Sequence, residues 1–244
     1  MGLFICPAAA KLARNCARGP AAVVSALDAD RIAFLRETFA CSAEIAASIG
    51  RRASDRRYPT ATIILKQGDR ADATFLMVLG RAHAMSYGSD GQVVLLHEFA
   101  RGDFFGALAD PAPEDADVVA VEAVHASVFR AGDFLALIES YGCVGLVVSR
   151  MLLKQLRASS VRIVESTTLS ATGRIYAELL RLARLGDGKT IAPAPVLSAL
   201  ATRVHSTRET VSRTINALER RGIIRRDKGS LVIVAPGRLE EMAV

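Results

Sequence analysis

The stretch from Thr62 to Val128 constrains the fold most, because short β-prone runs alternate there with glycine and aspartate punctuation. The runs are Thr62 to Lys66, Phe75 to Leu79, Ala82 to Tyr87, Val93 to Phe99 and Val118 to Val128. Between them lie Gln67-Gly68-Asp69, Leu79-Gly80-Arg81, Gly88-Ser89-Asp90-Gly91 and Arg101-Gly102-Asp103. Repeated short strands joined by glycine turns predict an antiparallel barrel or jelly roll. Ahead of it, Ile32, Leu35, Phe39, Ala43, Ile45, Ala46 and Ile49 recur at helical spacing, with Asp28 and Asp30 as candidate N-caps. Residues 1 to about 25 are rich in Ala, Arg and Gly without such a period and read as a poorly ordered arm.

From about Asp133 the β signals stop, and a helical tract runs to Glu165 with no Pro or Gly after Gly145. Val148, Leu152, Leu156, Ser159 and Ile163 form one stripe, with Met151 and Gln155 beside it. Two readings are open: the helix covers its own barrel, or its surplus stripe packs against a second copy of the chain. A further helix is predicted over Ser170 to Leu185, with Ile175, Leu179, Leu180, Leu182 and Ala183 facing a core. Gly186-Asp187-Gly188-Lys189-Thr190 is not a phosphate loop. The first glycine of G-x-x-x-x-G-K-S/T would fall at Ala183, inside that helix, with no strand before it.

After Pro193 and Pro195, a short helix over Val196 to Val204 turns Leu197, Leu200 and Val204 inward. His205-Ser206-Thr207 breaks the chain before a second helix over Arg208 to Arg221, whose Val211, Ile215 and Leu218 face the core. Two short helices around a three-residue break are the helix-turn-helix layout, whose second helix fits the DNA major groove. Arg208, Glu209, Ser212 and Arg213 occupy its first outward turns, where base edges come within reach. Arginine donates in pairs to guanine, and glutamate accepts from cytosine. The alternative is a Ser206/Glu209 capping box on an ordinary surface helix with solvated arginines. Past Gly222, Ile223 to Arg226 and Ser230 to Val234 flank Asp227-Lys228-Gly229 as a hairpin, a wing that either touches phosphates or carries plain solvated charge.

Charge distribution agrees with a nucleic-acid partner. Between Arg203 and Lys228, eight basic residues stand against three acidic ones, whereas Asp103 to Glu122 holds six acidic residues and no Lys or Arg. The net charge of +6 alone does not choose among nucleic acid, an anionic membrane and nothing special. No run approaches the roughly 18 to 20 apolar residues of a membrane span, so neither anchor nor signal peptide is expected and the location is cytoplasmic. Cys6, Cys16, Cys41 and Cys143 lack a C-x-x-C pair and read as reduced thiols. With no H-E-x-x-H, no G-x-S-x-G and no dinucleotide fingerprint, an enzyme is not expected.

Ser206-Thr207-Arg208-Glu209-Thr210-Val211-Ser212-Arg213, Thr172-Gly173-Arg174-Ile175 and Gly102-Asp103-Phe104-Phe105-Gly106 carry a resemblance to the cyclic-AMP receptor protein/FNR (CRP/FNR) family of bacterial transcription regulators. It covers roughly Asp28 to Val234. It implies an α+β chain with a cyclic-nucleotide-binding-like antiparallel β-barrel or jelly roll, a long dimerisation helix and a C-terminal winged helix-turn-helix. The corresponding divisions are residues 1–27 (arm), 28–139 (sensor), 140–168 (dimerisation helix) and 169–244 (DNA-binding domain). The resemblance further implies a homodimer on a pseudo-palindromic operator, with RNA polymerase as a protein partner. Ser206, Thr207, Arg208, Glu209, Ser212, Arg213 and Lys228 are then the DNA-contacting residues, Glu209 and Arg213 reading bases.

The sensor departs from the family pattern. Members that bind cyclic AMP follow a Gly-Glu with Arg-Ser or Arg-Thr, whereas Ala107 follows Gly106 here, with Glu114 and Asp115 as later counterparts and no Lys or Arg from Gly102 to Phe129. A carboxylate facing a buried phosphate is repulsive, which counts against cyclic AMP. No cofactor or metal is expected: the cysteines are too dispersed for an iron–sulfur cluster, and His83, His97, His125 and His205 read as ordinary histidines. A different small-molecule effector and effector-free binding both stay open. The rival from another class is a sensor or scaffold whose basic C-terminal domain docks a protein.

Overall fold

The computed structural model describes residues 20–87, 93–108 and 113–243. Two helices, α1 (Pro20–Phe39) and α2 (Ala43–Arg51), come first. The expected arm is corrected in part: residues 1–19 lie outside the described residues, but α1 already begins at Pro20. Proline's fixed φ suits a first helical position, and the alanines after it favour helix over coil.

Eight strands follow: β1 (Ser54–Tyr58), β2 (Ile63–Leu65), β3 (Ala73–Leu79), β4 (Ala82–Tyr87), β5 (Val93–Phe99), β6 (Phe104–Gly106), β7 (Asp117–Ala120) and β8 (Val124–Arg130). They form two antiparallel four-stranded sheets, ordered β1-β8-β3-β6 and β2-β7-β4-β5. The run Val118 to Val128, read above as one strand, is two. Val121 and Glu122 N–H groups both turn to the Arg81 carbonyl, at 2.9 and 3.2 Å. Gly80 faces them at φ +85°, so close to the Ala123 carbonyl that a Cβ would collide with it. β1, with the sequence SDRRY, has no apolar alternation and escaped the reading; the turn expected at residues 88–91 lies outside the described residues.

Period-two alternation gives the first sheet two buried faces. Phe75 and Met77 point into the space between the sheets, where Phe75 stacks on Phe105 at 4.8 Å and Phe99 lies 5.0 Å from Phe105. Leu76, Phe104 and Phe129 point the other way, onto Phe34, Leu35 and Phe39 of α1. That second core also takes Phe134 of α3 (Ala131–Ser140) and Val144 and Val148 of α4 (Gly142–Thr168).

The stripe expected along α4 divides. Val144, Val148 and Met151 are buried on the barrel, and beyond Met151 no residue of α4 is. Leu152, Leu156 and Ile163 are 45%, 64% and 64% exposed. No described helix is by itself long and apolar enough to cross a membrane.

The C-terminal region has its own core, built from α5 (Ala171–Arg184), α6 (Leu197–Arg203), α7 (Arg208–Arg220), α8 (Pro236–Met242) and a sheet ordered β10-β11-β9. The strands are β9 (Thr190–Ile191), β10 (Ile224–Asp227) and β11 (Ser230–Ile233). Neither β9 nor α8 was anticipated. Lys189-Thr190, set aside as a phosphate loop, leads into the third strand of the wing sheet, and Thr190 pairs with Val232.

An ionic bridge joins this region to the barrel. Glu98 of β5 accepts from Arg203 of α6 at 2.9 Å and meets His83 of β4 at 3.1 Å, while Arg203 also lies 3.5 Å from Glu178 of α5. Burial would raise the Glu98 carboxyl, but the His83 hydrogen bond and the Arg203 charge overcome it and hold it at about 2. Glu178, more deeply buried, is pushed up instead, chiefly by desolvation. The folded Glu98 value lies below the ordinary 4.5, so its stabilisation is full above that pH and fades as the pH falls toward 2. We expect Glu98→Gln to lower amide-exchange protection factors in α6 and β5 at neutral pH, and acid to lower them, relative to the intrinsic exchange rate at each pH, in the wild-type chain only. Identical exchange in both proteins across the range would remove this bridge as an inter-domain tie.

Candidate nucleic-acid interface

The turn between α6 and α7 is short because two local devices close it. His205 adopts a left-handed φ of +49°, and the Ser206 N–H returns to the Ala201 carbonyl at 3.0 Å. Arg174 of α5 then fastens the turn: Nε donates to the Val204 carbonyl at 2.9 Å and Nη2 to the His205 carbonyl at 3.3 Å. Its Nη1 donates to the Leu169 carbonyl at 3.0 Å, at the end of α4. One guanidinium thus ties the long helix to the helix-turn-helix. The sequence reading placed Arg174 in a family motif but gave it no role, because its partners are backbone atoms up to 31 residues away.

Thr207, not Ser206, is the N-cap of α7. Its Oγ1 accepts from the Thr210 N–H at 3.2 Å and contacts the Thr210 hydroxyl at 3.0 Å. The Ser206/Glu209 capping box weighed above is therefore corrected by one residue, and the cap that forms leaves the Glu209 side chain out of it. Val211, Ile215 and Leu218 are buried as expected, together with Thr214. Arg208, Glu209 and Arg213 are exposed, and Ser212 is half-buried between them. Glu209 and Arg213 stand four residues apart on one face, a spacing at which surface ion pairs often form. Among the described residues, neither they nor Arg208 make an intramolecular ion pair or side-chain hydrogen bond.

The wing behaves differently from residue to residue. Arg226 is turned back onto α7, bonding Asn216 Oδ1 at 2.6 Å and pairing with Glu219 at 3.4 Å. Arg225 pairs with Asp227 at 3.1 Å. Lys228 remains at the tip of a two-residue turn, exposed, followed by Gly229 at φ +83°. Of the basic residues around the hairpin tip, two are therefore employed in holding the wing together, and Lys228 points a charge outward without an ion pair among the described residues.

In the barrel, Gly106 takes φ +84° and passes so close to the Ala73 carbonyl that no side chain fits. The Thr74 hydroxyl donates to the Ala107 carbonyl just beyond it. Residues 109–112 lie outside the described residues. Where the chain resumes, burial pushes the Glu114 carboxyl up, and neighbouring Asp115 adds to the rise. Arg70, from the β2–β3 loop, forms a bridge to Pro113, but it and Lys66 are both solvent-exposed. Among the described residues no group of His, Cys, Asp and Glu could hold a metal ion.

Comparison with known proteins agrees with this architecture. Residues 55–141 match the cyclic nucleotide-binding domain family and residues 173–242 the Crp-like helix-turn-helix domain family. The chain is 30% identical to the cyclic AMP receptor protein of Thermus thermophilus over 77% of its own length and 87% of the relative's. It is 24% identical to the cAMP-activated global transcriptional regulator CRP of Salmonella typhimurium, over 72% and 88%. The solved structure of a CooA mutant from Carboxydothermus hydrogenoformans shares its fold at a TM-score of 0.71, with 17% identity over 81% of this chain and 90% of that one. With a nucleotide-binding-type barrel leading through a long helix into a winged helix-turn-helix, the chain belongs to the CRP/FNR family of DNA-binding transcription regulators.

Proposed function

We propose that this regulator works as a homodimer that inserts α7 of each copy into successive major grooves of a pseudo-palindromic operator, and that cyclic AMP is not its effector. The observation that carries the DNA-reading proposal is the outward face of α7. Arg208, Glu209 and Arg213 are exposed and, among the described residues, make no ion pair or side-chain hydrogen bond at the capped end of the helix, where they can meet base edges. Ser206, Thr207 and Ser212 border the same helix start and would bond phosphates or bases from there.

A second copy is supported by α4. Leu146, Leu152, Leu153, Leu156, Ile163 and Val164 are 45% to 64% exposed, too much apolar surface on one helix to be left in water. Pairing two such helices would set two α7 helices about one DNA turn apart. Such a dimer on DNA would act in the cytoplasm and present surfaces to RNA polymerase.

The case against cyclic AMP rests on charge. The relatives named for that nucleotide are the ones with 30% and 24% identity, yet here the loop after Gly106 contains Glu114 and Asp115 and no cation from Gly102 to Phe129. A phosphate there would meet repulsion from these carboxylates, and the basic side chains beside the segment, Lys66 and Arg70, are both solvent-exposed. Another effector, or none, would govern the barrel.

Selection from a random duplex library, without ligand and at a stated near-physiological salt concentration, tests the reading. An enriched palindrome supports it. No enrichment either alone or with candidate ligands, cyclic AMP among them, would favour a protein-docking scaffold. Lys228→Ala is expected to weaken specific and random DNA about equally and to lower the slope of log K against log salt by about 1. An unchanged salt slope would remove Lys228 from the DNA-contacting set.

A further inference from the structure

We propose that the cleft between the barrel and the DNA-binding region is an effector site for a small oxyanion, a phosphate or carboxylate compound that also carries a hydrogen-bond donor. Only its consequence for DNA rests on the regulator reading above. The cavity, of about 300 Å³, is bounded by β5, the C-terminal half of α4, α5 and the end of α6. Five arginines and three glutamates line it, a surplus of two positive charges.

Much of that charge is already committed. Arg203 holds Glu98 at 2.9 Å, Arg181 Nε donates to Glu178 Oε2 at 2.9 Å, and Arg174 spends its guanidinium on three backbone carbonyls. Arg162 is different: it is half-buried, and among the described residues it makes no ion pair and no side-chain hydrogen bond. Burial and the charge of Arg181 lower its guanidinium, against the pull of Glu98 and Glu178. Glu178 presents the complementary need. It is only 7% exposed, yet its Oε1 accepts no hydrogen bond, Arg203 Nη1 standing 3.5 Å away. A half-buried guanidinium without an anion and a buried carboxyl oxygen without a donor thus line one cavity. A single molecule bearing an oxyanion and a hydroxyl or amine satisfies both, and the planar fork of arginine matches phosphate and carboxylate alike. The volume lies at the small end of ligand sites.

The site stays open when two copies pair. Ala158, Arg162 and Glu165 follow one another at four and three residues and share the cavity face of α4, whereas Leu152, Leu156 and Ile163 lie on a different face. The same cavity is lined by Arg174, Val204 and His205, the residues that fasten the turn before α7. An occupant therefore touches the barrel, the long helix and the helix-turn-helix at once, which is what coupling between an effector and DNA requires.

The test is calorimetric titration of the full chain with inorganic phosphate, citrate and adenosine 5′-monophosphate, each up to about 10 mM. At least one should bind saturably, once per chain: the two phosphates if the site takes phosphoryl groups, citrate if it takes carboxylates. Arg162→Gln discards a charge that burial already disfavours, so it should melt like the wild type yet bind about tenfold more weakly or worse. Arg150→Gln, at an exposed position of α4 outside the cavity, should bind like the wild type. In the wild-type chain the bound probe should raise amide-exchange protection in β5, the second half of α4 and α5. Binding of none of the three, binding that Arg162→Gln leaves unchanged, or protection confined to β6 and β7 would overturn the proposal. With probe bound, operator affinity should shift about fivefold or more in the wild type and stay fixed in Arg162→Gln. A wild type that binds the probe without any such shift would strike the effector role. Calorimetry and exchange use no DNA, so they stand or fall apart from the operator reading.

Discussion

Replacing Arg213 by Ala is expected to erase the preference of this regulator for its operator while leaving most of its affinity for random DNA. Arg213 sits in the second turn of α7, on the same outward face as Glu209, and makes no internal ion pair among the described residues. No described residue bonds the guanidinium, so its removal should leave the fold intact. In the groove it would give two parallel hydrogen bonds to one guanine, a contact worth about 1 to 3 kcal/mol of discrimination. The dimer presents the residue twice, so the loss on a full palindrome should reach about 2 to 6 kcal/mol, whereas random DNA loses only the electrostatic share. Competition binding of the selected operator against random duplex, at two salt concentrations, measures both. Equal losses on the two DNAs would show that Arg213 contacts phosphate and that specificity lies elsewhere on α7.

Arg174→Ala should have the largest effect on stability. Three carbonyl oxygens, those of Leu169, Val204 and His205, lose their donor at once. Net contributions of charged hydrogen bonds run near 1.5 to 3 kcal/mol each, and water repairs part of the loss at this half-exposed site. The expected destabilisation of the C-terminal core is about 3 kcal/mol, read as a fall of roughly 12 to 24 °C in its melting temperature. Arg174→Lys should recover less than half, because an ammonium cannot span carbonyls on opposite sides of the turn. DNA affinity should fall in parallel, through disorder of the His205 turn and not through a lost contact. A variant that melts like the wild type would mean that the turn is held by packing alone.

The parts legible in the sequence are those set by local pattern. β4 and β5 were read with the bounds they have, because both runs are apolar and closed by glycine or aspartate. The inward set of α7 followed from its period, with Thr214 the one addition. β1 was illegible: its four leading residues are polar or charged, and it becomes a strand only because β8 offers an edge to pair with. The N-cap of α7 moved from Ser206 to Thr207 for a geometric reason. His205 and Ser206 spend themselves on the left-handed turn, and the next hydroxyl is the one that reaches an unpaired N–H.

Sequence by itself determined the kind of chain: a strand-rich barrel, a long helix, a basic helix-turn-helix with a wing, and the residues on the outward face of α7. These follow from hydrophobic period, turn chemistry and charge, which act over a few residues. Only the tertiary structure decided which half of α4 lies on the barrel, which wing arginines are occupied internally, and that Arg174 binds three carbonyls. It alone brought Glu98 to Arg203 across 105 positions and Tyr141 to Ser48 across 93. Contacts of that separation depend on how whole elements pack, and packing is a property of the assembled core that no local window of residues contains.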